Sequence, residues 1–204
     1  MSPGAKFLTL EGVDGAGKST HMQFVADFLA TRARHVIVTR EPGGTDLAER
    51  LREAILGHAM APLVETMLLF AARADHVTRV IRPALEAGSW VVCDRFSDAT
   101  MAYQGAGKGV PLALIQTLSE AAHPGLLPDR TLVFDCGYEV ARERLARSGK
   151  TLDRFEREDR GFFERVRAAY LERARAEPAR VRIVDASMAV AEIRKALERH
   201  LSEL

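Results

Sequence analysis

The run Gly12-Val13-Asp14-Gly15-Ala16-Gly17-Lys18-Ser19, followed by Thr20, has the residue types and spacing of a phosphate-binding loop. Its glycines let the backbone curl so that successive N–H groups face inward as an anion nest. A helix starting at Lys18 would add the positive end of its dipole. Lys18 can then reach the β and γ phosphates of a nucleoside triphosphate, and the Ser19 hydroxyl is a ligand type for Mg²⁺. The loop specifies a nucleotide, not a reaction. Guanine-reading switch proteins need an Asn-Lys-x-Asp element, and this chain contains no asparagine.

Three further clusters suit a second, phosphorylated substrate. Thr39-Arg40-Glu41-Pro42-Gly43-Gly44-Thr45 delivers Arg40 at the tip of an apolar run, where its planar fork could hold a phosphate. The lesser alternative is an Arg–Glu surface pair. Val91-Val92-Cys93-Asp94-Arg95 ends an apolar run in an aspartate, the arrangement that holds Mg²⁺ or its waters in Walker-type sites, or else a helix cap. Arg95 beside it could neutralise a transferring phosphate. Phe70 and Arg73 are three residues apart and share a helical face, which suits stacking and edge recognition of a planar base. The same pair also fits a core aromatic and a surface arginine.

Elements must position these clusters, and the hydrophobic pattern supplies them. Strands are predicted at Lys6 to Leu10, His35 to Thr39, Trp90 to Asp94, Thr131 to Asp135 and Val181 to Asp185. They are nearly continuous in hydrophobicity, as strands buried on both faces of a parallel sheet are. Helices fill the gaps: from the glycine loop to about Thr31, then Asp46 to Leu56, Leu63 to Ala87, Leu112 to Ala122, Glu139 to Arg147, Arg157 to Ala176, and Met188 to Leu204. The alternation specifies a doubly wound α/β sandwich, which gathers the glycine loop, Arg40-Glu41, Asp94-Arg95 and Asp135 at one edge. The 204 residues suit one domain. Lys plus Arg total 29 against 28 Asp plus Glu, too balanced for a polymer-binding basic protein. Cys93 and Cys136 read as reduced core thiols. No signal peptide or membrane-spanning run is evident, so a cytoplasmic location is expected.

Together the clusters resemble the thymidylate kinase family, from about Phe7 to Tyr170. The motifs are Glu11 to Thr20, Arg40-Glu41-Pro42-Gly43-Gly44-Thr45, Leu69-Phe70-Ala71-Ala72-Arg73, Asp94-Arg95-Phe96 and Ala102-Tyr103-Gln104-Gly105. The resemblance implies a three-layer α/β/α sandwich with a five-stranded parallel sheet, of the P-loop NTP hydrolase type. It implies transfer of the ATP γ-phosphoryl to dTMP with Mg²⁺ at Ser19 and Asp94. It implies that Phe70 stacks on thymine, that Arg73 bonds the base edge, and that Arg40 and Arg95 hold the dTMP phosphate. Asp14 would lie near the acceptor sugar, Tyr103 would close on the deoxyribose, and Thr100 and Gln104 would neighbour the base.

The family's mobile lid corresponds to Ser148 to Glu156, within about residues 147–160. Positions 13 to 16 of the loop carry no arginine, so this is the bacterial-type arrangement, with positive charge supplied by the lid. Arg147, Arg154, Arg157 and Arg160 are the candidates, Arg154 foremost and Arg147 second. Phe96 and Ala99 stand where many members carry Tyr or His and Ser, which predicts altered acceptor affinity. The family is commonly a homodimer through helices, and Leu68, Leu69, Val77, Val80 and Ile81 supply apolar surface for it. A kinase for another small acceptor and a nucleotide-binding regulator are the competing readings.

Overall fold

The computed structural model describes residues 4–149 and 151–204. Five strands form its sheet: β1 (Phe7–Gly12), β2 (Val36–Arg40), β3 (Trp90–Asp94), β4 (Arg130–Asp135) and β5 (Val181–Asp185). All are parallel, in the order β2-β3-β1-β4-β5. The chain therefore builds outward in both directions from β1, and the direction reverses at the carboxyl end from which the glycine loop leaves.

The helices among the described residues are α1 (Lys18–Ala30), α2 (Asp46–Gly57), α3 (Pro62–His76), α4 (Arg82–Glu86), α5 (Ser97–Thr100), α6 (Leu112–Ala122), α7 (Tyr138–Arg147), α8 (Arg160–Ala176) and α9 (Val190–Ser202). The alternation of β1 divides the core between the two faces of the sheet. Leu8 and Leu10 pack with Val25 and Leu29 of α1 and Leu197 of α9. Phe7 packs with Val91 and Cys93 of β3, with Leu85 of α4, and with Val77 and Ile81 just before it. Both cysteines are free and buried.

The expected strands form within two residues of their predicted ends. The expected long helix 63–87 does not run regularly. It passes through a widened π-helical turn, Val77–Ile81, before α4, which carries Pro83. A proline lacks the N–H and crowds the preceding turn, and a widened turn relieves both. Val77 and Ile81, expected as apolar surface, belong to the core. The helix expected from Arg157 starts at Arg160, where Asp159 accepts from the Phe162 N–H at 2.7 Å as N-cap. The pattern gave no sign of α5 or of the π-helical segment Met101–Gly107 that follows it. Gly107 there lets the segment meet α8, since a Cβ would lie 2.5 Å from the Phe162 ring.

Candidate active site

Two clefts meet at the carboxyl edge of the sheet. The first is lined by the glycine loop from Asp14 to Thr20, with Asp94 and Arg144. The second is lined by Leu69, Arg73, Phe96, Ala99, Thr100, Tyr103 and Gln104. Asp14, Glu41, Arg52, Arg95 and Asp153 border both. Groups held in one cleft would thus face groups held in the other across a shared polar wall.

The loop geometry follows from its glycines. Gly12 has φ 130°, and a Cβ there would sit 2.3 Å from the Phe134 carbonyl oxygen of β4. Gly15, at φ 81°, approaches the Ala141 carbonyl of α7 as closely. Gly17, in the left-handed region, ends the loop at the first residue of α1. Val13 and Ala16 are buried beneath it. Lys18 folds back, and its Nζ donates to the Gly12 carbonyl at 3.2 Å. Burial, then the nearby Arg95 charge, lower the Lys18 ammonium pKa. An anion is the partner that would offset both effects.

Arg95 is the hub between the clefts. Its backbone is left-handed, with φ 69°, and its N–H donates to the Leu10 carbonyl. Its Nη2 donates to Asp14 at 2.6 Å and to the Tyr103 hydroxyl at 2.9 Å, and its Nη1 to the Gly12 carbonyl at 2.9 Å. Tyr103 in turn donates to Asp14 at 2.8 Å, and its ring lies under the Arg95 guanidinium. Burial pushes the Asp14 carboxyl up, but Arg95, Lys18 and these hydrogen bonds outweigh it and hold it below the usual range. Glu11, fully buried behind the hub, accepts from the Phe96 N–H and the Tyr170 hydroxyl, each at 2.7 Å.

Arg73 is set by a relay that ties β2 to α3. Its Nε donates to Glu41 at 2.6 Å. His76 Nδ1 donates to the other Glu41 oxygen at 3.1 Å, since a carboxylate only accepts, and His76 Nε2 meets Thr39 Oγ1 at 2.7 Å. Burial raises the Glu41 carboxyl pKa, but Arg73 and His76 reverse the shift and keep it low. Arg73 Nη2 reaches the Phe96 carbonyl and Thr100 Oγ1, while Nη1 is buried without a protein partner. Gln104 donates from Nε2 to Glu65 at 2.7 Å, leaving its amide oxygen as an acceptor.

The remaining expected residues are placed less uniformly. Asp94 ends β3 in the first cleft, with its Oδ1 buried and unpartnered. Arg40 borders that cleft but is exposed, and its Nη2 donates to both Glu49 carboxylate oxygens, at 2.9 and 2.8 Å. Phe70 is not among the second cleft's lining; it is buried with Val110 and Ile115, beneath the Arg73 guanidinium. Leu69 supplies apolar wall instead, and Phe96, fully buried against Phe7, lies behind it. Arg147 is exposed, pairs with Glu143 at 2.6 Å and lies outside both clefts. Arg160 likewise pairs with Glu139 at 3.0 Å. Arg154 pairs with Glu65 and donates to the Ile55 carbonyl, away from the glycine loop.

Two arginines in the clefts escaped the sequence reading. Arg144 donates to the Ala16 carbonyl at 3.4 Å, on the loop itself. Arg52 donates to the Pro42 carbonyl and borders both clefts. Their helical spacing from the motifs was available in the sequence, but which face of α2 or α7 turns inward was not.

Comparison with known proteins shows what the chain is similar to. The thymidylate kinase family profile matches residues 10–197. The chain is 53% identical over 204 residues to the thymidylate kinase of Bordetella pertussis, covering 100% of this chain and 98% of that one. It is 51% identical over 203 residues to that of Ralstonia nicotianae, covering 98% of each. The crystal structure of thymidylate kinase from Ehrlichia chaffeensis superposes with a TM-score of 0.81 at 30% identity, covering 98% of this chain and 99% of that one. Profile, relatives and structure span nearly the whole length, so the chain belongs to the thymidylate kinase family.

Proposed function

We propose that the first cleft binds ATP and the second dTMP, and that the γ-phosphoryl passes between them to give dTDP and ADP. One observation carries the acceptor assignment: Arg73, with its buried, unpartnered Nη1, and Gln104, with its amide oxygen left as acceptor, line the same cleft. A thymine edge offers O4 as acceptor and N3–H as donor, which matches both. A cytosine edge presents the reverse pattern and leaves buried groups unpaired.

The acceptor is already an anionic phosphate, so the barrier is the approach of two polyanions rather than a proton transfer. Lys18 would neutralise the donor's β and γ phosphates. Arg95, held rigid by Asp14 and Tyr103, would hold charge at the boundary of the clefts, with Arg52 beside it. Arg40 would reach the acceptor phosphate on leaving Glu49, and Arg144 would add charge over the loop. Leu69 would cover the base, with Phe70 and Phe96 supporting Arg73 from behind. Tyr103 would pack on the deoxyribose. The orphaned Asp94 Oδ1 and the exposed Ser19 hydroxyl fit Mg²⁺, and would hold it with the triphosphate. Bound there, the ion supplies charge neutralisation of the phosphate oxygens.

Residues 147–160 would act as a lid on a single domain, and the protein would work in the cytoplasm as a homodimer. The dimer is supported by Leu63, Val64 and Met67, which leave an apolar stripe exposed on α3. Among the described residues no helix is long and apolar enough to cross a membrane.

An acceptor panel tests the reading. ADP release with ATP and dTMP, dUMP, dGMP, UMP or AMP is expected to be fastest per micromolar with dTMP. Preference for another acceptor would overturn the assignment, and acceptor-independent release would point to a different activity.

A further inference from the structure

Glu65 of α3 is fully buried and takes two hydrogen bonds and an ion pair from three places. Gln104 Nε2 donates to its Oε1 at 2.7 Å, and Lys108 Nζ to its Oε2 at 2.8 Å. Arg154, in the segment between α7 and α8, pairs with the same Oε2. A carboxylate with no solvent exposure needs such partners in place of its hydration. Arg154 is anchored further by the Ile55 carbonyl of α2, and its guanidinium lies over the Phe155 ring at 4.5 Å. Lys108 Nζ lies over the same ring at 4.6 Å. Asp153 and Phe155, on either side of Arg154, form part of the second cleft's wall.

We infer that Glu65 is a positioning residue that joins the acceptor cleft to its cover. It fixes the Gln104 amide with nitrogen inward and oxygen toward the base. The same carboxylate anchors Arg154, so that Asp153 and Phe155 close over the acceptor. An acceptor that engages Gln104 then stabilises the arrangement that holds Arg154, and the coupling runs equally in reverse. Arg154 thereby serves the acceptor side rather than the triphosphate. The inference rests on the assignment of dTMP to this cleft.

Hydrogen exchange and kinetics of Glu65→Gln, Arg154→Met and the double variant test it. Without ligand, exchange in residues 151–159 is expected to speed up about tenfold in each single variant, and no further in the double. KM for dTMP should rise about tenfold in both singles while KM for ATP stays within about twofold, and Arg154→Lys should recover part of the loss. Unchanged exchange in both singles overturns the inference. So does an Arg154→Met enzyme that loses kcat at unchanged KM for dTMP. If Glu65→Gln fails to fold, as read by circular dichroism, the Arg154 variants carry the test. If dTMP fails to slow exchange in the unaltered protein, the acceptor assignment falls, while the ligand-free comparison still decides the anchor.

Discussion

Glu11 shows how burial gives a side chain properties its type does not predict. Burial, then the charge of Asp98, raise its carboxyl pKa from 4.5 to about 7, against the pull of Arg95, Tyr170 and the Phe96 N–H. Between those values the folded protein binds more protons than the unfolded chain. The contribution of Glu11 to stability therefore falls as pH rises from 4.5 to 7 and is constant above that. Glu11→Gln removes the titration, so the Tm advantage of the unaltered protein should shrink across that window. A Tm difference that is flat with pH would rule out the raised pKa. Arg144 and Arg147 of α7 make a second contrast. Arg144→Ala should raise KM for ATP roughly tenfold, because it deletes a charge at the loop. Arg147→Ala should change it less than about twofold, as its guanidinium is mostly solvated and paired with Glu143. Equal effects in steady-state kinetics would contradict this placement.

Elements bring such residues into range, and the close approaches between them are specific. The glycine loop fits between β4 and α7 because Gly12 and Gly15 have no Cβ. Gly15→Ala would drive a methyl to 2.4 Å from the Ala141 carbonyl on a backbone at φ 81°. Calorimetry should show ATP affinity lowered at least about tenfold and a lower Tm, since strain at such positions costs about 1–3 kcal/mol. An unshifted affinity would mean that the loop and α7 separate freely. The strands and the loop were legible from the sequence because their signals are local: apolar runs, and glycines before a lysine. The segment 97–107 was not legible. It carries Thr100, Tyr103 and Gln104, but its turns are shaped by packing against α8, and no 3.6-residue period marks them.

At the scale of the molecule, the proposed dimer rests on the apolar stripe of Leu63, Val64 and Met67. Met67, 52% exposed, can be replaced by Asp without disturbing the core. Sedimentation should then shift from dimer to monomer, and a persistent dimer would place the interface elsewhere. The sequence by itself determined the sheet, the glycine loop and the family, since each is written in short contiguous motifs. Tertiary structure decided which side chains of those motifs face the cleft. Leu69 lines it rather than Phe70, Arg144 meets the loop rather than Arg147, and Arg154 turns to Glu65, far from it in sequence. A one-residue step along a helix turns a side chain by about 100°, and only packing fixes which of them points inward.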